Sequence, residues 1–138
     1  MPSRKIEDLH PDLQPLCKQF IEMCFQAGVD VFLTTTFRSK LEQDALYAQG
    51  RSKPGKIVTN ARGGQSHHNR SMENGTPASL AFDIALRGAN GLNWDTRTPQ
   101  WKKAVQIGRS LGLECGADWK MKDYPHFQLN PNVNKTNT

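Results

Sequence analysis

Two adjacent histidines, His67 and His68, sit in the loop sequence GGQSHHNRS, and a lone carboxylate, Asp83, interrupts the apolar run LAFDIAL downstream. A third histidine, His126, follows a proline in DYPHFQL. Two imidazoles and one carboxylate, with one coordination position left open, are the donor set of a catalytic zinc ion. Thiolates would point to a structural site instead, and no cysteine neighbours these residues in the sequence. A cation also accounts for the placement of Asp83. An ionised carboxylate left unpaired among apolar side chains is costly, and a bound divalent ion neutralises it.

Asp123 lies three residues before His126. Pro125 biases Tyr124 towards extended backbone, so DYPH is not a turn of helix. Asp123 is then placed beside the metal instead of on it. A carboxylate there can take a proton from the attacking water and return it to a leaving amine. From spacing alone other readings stay open. Either His67 or His68 can complete the ligand set. A histidine in a strand is commonly a structural hydrogen-bonding residue, and a strand aspartate can cap a neighbouring loop.

Several elements must position these groups. Leu13, Leu16, Cys17, Phe20, Ile21 and Cys24 recur at helical spacing, which predicts a helix from about Pro11 to Gly28. The β-branched and aromatic stretch that follows predicts a strand over Val31 to Phe37. Ser39 and Glu42 have the spacing of a capping box for a second helix, closed by Gly50. Loops are expected over residues 51–66 and 69–77. In SLAFDIAL, period-two alternation places Phe82, Ile84 and Leu86 on a core face, and Ala81, Asp83 and Ala85 on an opposite face that something bulky can approach. Thr98, Pro99 and Gly112 bracket a third helix. In HFQL, Phe127 and Leu129 face the core while His126 and Gln128 face away. If these two strands are neighbours, Asp83 and His126 share one surface.

The chain of 138 residues is sized for one domain, taken as residues 1–130, with a polar, frayed tail over 131–138. With 36% hydrophobic and 22% charged residues it reads as a soluble globular protein. No apolar run is long enough to span a bilayer. The opening MPSRKIEDLH has no apolar stretch of a secretory signal, so the protein is expected to stay in the cytoplasm until something releases it. Cys17, Cys24 and Cys115 are odd in number and widely spaced, which excludes a disulfide framework; the first two fit a buried helix face. The formal net charge is +5, and Arg51, Lys53, Lys56, Arg62 and Arg70 occupy a stretch without acids. That suits a solvated loop or a polyanionic partner such as a carboxylate-rich wall polymer. No aromatic residue interleaves these charges, which argues against nucleic acid.

SHH at Ser66–His68, AFD at Ala81–Asp83 and DYPHF at Asp123–Phe127 resemble the three ordered motifs of the peptidase M15 family, which includes D-alanyl-D-alanine carboxypeptidases and L-alanyl-D-glutamate endopeptidases. The stretch from Thr34 to Asn69 resembles the L-alanyl-D-glutamate branch, to which phage endolysins and bacterial wall peptidases belong. The resemblance implies one Zn2+ held by His68, Asp83 and His126, with His67 at the variable position. It implies that Asp123 is the catalytic acid/base and that Arg38 holds the reacting carbonyl and its developing charge. Ser66, Gln43 and Arg38 are the implied substrate contacts. A plainer reading of Arg38 is a surface ion pair with Glu42 or Asp44.

The implied fold is α+β, a small antiparallel sheet with helices on one face, as in Hedgehog-type domains. The implied function is zinc-dependent hydrolysis of the peptidoglycan stem peptide between L-alanine and D-glutamate, by a monomeric phage endolysin. It would wait in the host cytoplasm before release to the periplasm and wall. The alternatives are a D-alanyl-D-alanine carboxypeptidase and a non-catalytic zinc-fold wall-binding module. The chain departs from the family pattern between His68 and Asp83. RSMENGTPAS is inserted there, Ser79 stands where glycine is usual, and the insertion is expected to form a flap at the site mouth.

Overall fold

The computed structural model describes residues 1–130. The polar tail expected over 131–138 lies outside the described residues. The first helix, α1 (Gln14–Gln26), buries Cys17, Phe20 and Cys24. It begins three residues later than the apolar spacing predicts, because the Leu13 and Gln14 amides turn back onto the His10 carbonyl and Pro15 opens the helix proper. Gly28, at φ +79°, ends it in a Schellman motif: Val29 N–H donates to Cys24 O and Gly28 N–H to Phe25 O.

β1 (Val31–Thr35) stops short of Phe37 at a register irregularity between Leu33 and Thr35. The backbone beyond it pairs with Ser3 instead, through Thr36 N–H to Ser3 O and Ser3 N–H to Phe37 O. α2 (Lys40–Ala48) carries the expected capping box. β2 (Ala81–Gly88) and β3 (Gly91–Asn93) form a hairpin, α3 (Pro99–Ser110) follows, and β4 (Glu114–Cys115) and β5 (His126–Gln128) complete the sheet. Strand order is β1-β2-β5-β4, with β3 also on β2, and every ladder is antiparallel. β3 and β4 are too short to show a period-two pattern in the sequence.

The fold is α+β. Phe20 of α1 packs on Phe82 of β2 and Phe127 of β5, with ring centroids 5.4 and 4.8 Å away. α3 meets the same layer at Gly108, where an added Cβ would stand 2.5 Å from the Phe127 ring. The pinned Phe82–Phe127 pair fixes the two strands whose opposite faces carry Asp83 and His126. That opposite face is not open along its length: Ala81 and Ala85 are fully buried, and only the Asp83 side chain reaches a cleft. All three cysteines are buried and unpaired, and burial pushes the thiols of Cys17 and Cys24 up to about 12, so they behave as apolar packing. Among the described residues no helix is long and apolar enough to cross a membrane.

Candidate metal centre and active-site cleft

β2 and β5 are neighbours, and their register sets Asp83 directly opposite His126. His68 arrives from a 3-10 turn, His67–Asn69, whose start is capped by Ser66: its hydroxyl accepts from His68 N–H at 3.1 Å. Asn69 braces this turn, donating from Nδ2 to Arg38 O and accepting at Oδ1 from the Gly64 and Ser66 amides. One ligand atom from each of His68, Asp83 and His126 lies within 4.8 Å of the others. His67 is turned elsewhere, with Nε2 3.0 Å from Asn130 Oδ1.

The hydrogen bonds assign the imidazole protons. His68 Nδ1 is 2.8 Å from the Thr36 carbonyl, which only accepts, so Nδ1 carries the proton and Nε2 keeps its lone pair. His126 Nε2 is 2.7 Å from Gln128 Oε1, which leaves the lone pair on Nδ1. Both lone pairs face the same oxygen, Asp83 Oδ1, at 3.3 Å from His68 and 3.2 Å from His126. Three acceptors converging on one point need a cation between them, either a proton or a metal. The donor types, the tautomers and the convergence fit a divalent metal.

The electrostatics follow from this contact. Burial alone would raise the Asp83 carboxyl, but hydrogen bonds and charge from His126 and His68 outweigh it and hold it well below the usual range. Burial pulls His126 down, and the bond to Asp83, its charge and the Gln128 contact overcome that and raise it. Asp123 sits 4.0 Å from His126 Nδ1. Burial first, then the negative charge of Asp83, raise its carboxyl above the ordinary aspartate value.

Arg38 leaves the end of the β1 backbone, with its N–H on His68 O. It makes no pair with Glu42 or Asp44. Glu42 accepts from Ser39 N–H within the capping box, and Asp44 accepts from Gly63 N–H. The Arg38 guanidinium instead donates to Gln43 Oε1 at 3.0 Å and stands 4.0 Å from Asp83 Oδ2. Gln43, expected to touch substrate, is 1% exposed, and its amide is spent on Arg38, Ala61 O and Thr59 Oγ1. It orients Arg38 and ties it to the loop that walls the cleft. Ser66 likewise lines the cleft, but its hydroxyl caps the turn that presents His68.

These residues line one cleft of about 590 Å³, together with Val58, Thr59 and Trp119. The insertion does not form a flap there. It folds on itself as a small hairpin, with Ser71 bridged to Pro77 and Met72 N–H on Thr76 O, and residues 70–80 lie outside the cleft lining. The five basic residues of the 51–70 stretch also lie outside that lining. Arg51 is turned onto α2, over the Tyr47 ring and against Tyr47 O and Thr59 O. Trp119, whose ring lies 5.0 Å from that of His126, carries no signal in the sequence, because nothing in DWKMK sets its spacing apart.

A family model described as D-alanyl-D-alanine carboxypeptidase, of the peptidase M15 group, matches residues 59–129. The chain is 42% identical over 134 residues to the peptidoglycan L-alanyl-D-glutamate endopeptidase CwlK of Bacillus subtilis, covering 91% of this chain and 75% of that protein. It is 25% identical over 127 residues to the L-alanyl-D-glutamate peptidase of Listeria phage A118, covering 91% of this chain and 39% of the phage protein. The fold resembles that of the Serratia marcescens L-Ala D-Glu endopeptidase ChiX, with a TM-score of 0.61 at 20% identity over 97% of this chain and 92% of that one. It also resembles the LD-carboxypeptidase LdcB, with a TM-score of 0.64 at 16% identity over 97% of this chain and 66% of that one. This chain belongs to the peptidase M15 family.

Proposed function

We propose that the protein is a zinc-dependent peptidoglycan hydrolase that cuts the stem peptide between L-alanine and D-glutamate. One observation carries this reading. His68, Asp83 and His126 converge at the floor of a cleft that also holds a carboxylate with a raised pKa, Asp123, and an oriented guanidinium, Arg38. The likeness to CwlK over most of both chains supports the bond chosen.

A zinc ion held by the three side chains would supply Lewis acidity towards the scissile carbonyl and the attacking water. The rest falls to this chain's own groups. Asp123, whose carboxyl burial holds above the ordinary aspartate value, takes the proton of the attacking water and delivers it to the leaving amine. Arg38, held at a fixed angle by Gln43, donates to the oxygen on which negative charge develops. Trp119 and Val58 form apolar sides that limit water around the reacting peptide.

The likeness to a phage peptidase supports a role as an endolysin. An endolysin of this kind would be held in the host cytoplasm until it is released to the wall. Mass spectrometry of muropeptides after digestion of purified peptidoglycan tests the activity. Loss of the whole peptide beyond L-alanine is expected. Loss of terminal D-alanine alone would make the protein a carboxypeptidase, and unchanged muropeptides would leave a wall-binding role.

A further inference from the structure

Glu114 is the cross-strand partner of Gln128 in the β4–β5 ladder. It lies outside the cleft lining and is not one of the three converging ligands. Its carboxylate nevertheless collects three N–H donors: Gln128 Nε2 at 3.2 Å, Trp119 Nε1 at 2.7 Å, and Asn130 Nδ2. A carboxylate only accepts, so each contact has one direction. Gln128 must turn its NH2 towards Glu114 and its carbonyl oxygen towards His126 Nε2. That oxygen in turn keeps the His126 proton on Nε2 and the lone pair on Nδ1, facing Asp83. Reversing the Gln128 amide would place NH2 against Nε2, move the ring proton to Nδ1 and close the lone pair.

The same carboxylate acts from a second side. It holds the Trp119 indole, whose ring lies 5.0 Å from the His126 ring and is inclined to it by 46°. A third branch fixes Asn130, whose Oδ1 then accepts from His67 Nε2 at 3.0 Å and draws that ring away from the converging ligands.

We propose that Glu114 is the positioning residue of this centre, setting the tautomer and orientation of His126 through Gln128 and Trp119. The proposal rests on the metallopeptidase reading for the identity of the ion, but the tautomer can be read without metal or substrate. Three full-length variants test it. Glu114→Gln replaces one of the two acceptor oxygens by an NH2 donor at nearly constant volume, so the three N–H donors can no longer all be accepted. Gln128→Leu removes the acceptor for His126, and Gln128→Glu retains an oxygen there.

Heteronuclear NMR of the imidazole nitrogens in metal-free protein, held at a pH alkaline enough for His126 to be neutral, should show its proton on Nε2 in wild type. The Nδ1-protonated form should appear in Glu114→Gln and Gln128→Leu. Zinc affinity, measured by competition with a chromophoric chelator, should fall about 10- to 100-fold in Gln128→Leu, and in the same direction in Glu114→Gln. Gln128→Glu keeps an acceptor for His126 Nε2–H but sets a second carboxylate against Glu114, so it should keep the wild-type tautomer, with a zinc affinity between those of wild type and Gln128→Leu. Glu114→Gln with the wild-type tautomer and zinc affinity overturns the proposal. Should Glu114→Gln fail to fold, the Gln128 pair decides, and equal zinc affinity of its two variants overturns it. A wild-type protein that binds no zinc or leaves peptidoglycan intact sinks the proposed function instead, while the tautomer comparison still decides the role of Glu114.

Discussion

His67 and His68 are neighbours in sequence with separate fates, decided by which carbonyl each ring meets. His68 spends Nδ1 on Thr36 O and turns Nε2 to Asp83; His67 reaches Asn130. Metal content after dialysis should therefore vanish in His68→Ala and persist in His67→Ala; the opposite result would assign the ligand to His67. Asp123 stands beside the centre, so Asp123→Asn should keep the metal while kcat falls by about 100-fold or more, the usual worth of a placed general base. The base must be ionised, so kcat/KM falls as pH drops through its pKa; burial and the charge of Asp83 raise that carboxyl, and a zinc ion on Asp83 would offset the second cause. An acid limb of kcat/KM that is unchanged in Asp123→Asn would remove Asp123 as the base. Arg38 donates from a fixed planar group, and lysine cannot reproduce that geometry. Arg38→Lys should cost about 2 to 4 kcal/mol in kcat/KM with little change in Tm, and equal kcat/KM would exclude Arg38 from the chemistry.

At the scale of elements, the site depends on short segments held by close backbone approach. The loop between β4 and β5 brings Asp123 back over Gly116, with Asp123 N–H on Gly116 O at 2.9 Å. A Cβ on Gly116 would meet Asp123 O at 2.1 Å, so the loop can close only with glycine there. Gly116→Ala should shift Asp123 while leaving the three ligands in place. Steady-state kinetics should show kcat reduced with metal content retained, and unchanged kcat would show that the loop re-forms around the methyl group. α2 is the other lever. Its capping box was legible in the sequence because Ser39 and Glu42 bond within one turn. Gln43's task was not, because its partners Thr59 and Ala61 come from a distant loop.

For the whole molecule, the candidate metal centre is a buried electrostatic conflict at the junction of β2, β5 and the His67–Asn69 turn. Without a metal, protons must fill the gap between Asp83 and the imidazoles. The folded-state pKa of His126 is raised above its ordinary value, so its contribution to stability is complete below about 6.5 and is lost as pH rises through the folded value. Asp83 is depressed, so its contribution is present above the ordinary carboxylate range and is lost as pH falls through the folded value. The chelated protein should therefore lose Tm as pH rises from about 6.5, while the zinc-loaded protein resists that loss. Thermal melts with and without chelator measure this, and parallel pH profiles would show that no ion replaces those protons.

Elements whose signals are local were legible in the sequence alone. These are the apolar stripe of α1, the capping box of α2, the proline and glycine that bracket α3, and the alternation that put Asp83 and His126 on the polar faces of their strands. The sequence also carried the ordered motifs that mark the family. Tertiary structure decided what depends on pairing across long separations: that β5 lies beside β2 in a register opposing Asp83 to His126, and that Gln43 and Ser66 serve as supports. It also turned the insertion away from the cleft and made Glu114 the anchor of Gln128, Trp119 and Asn130. A hydrogen-bond direction is set by the partner across the sheet, and two residues far apart in the chain carry no mark of that partnership until the strands pair.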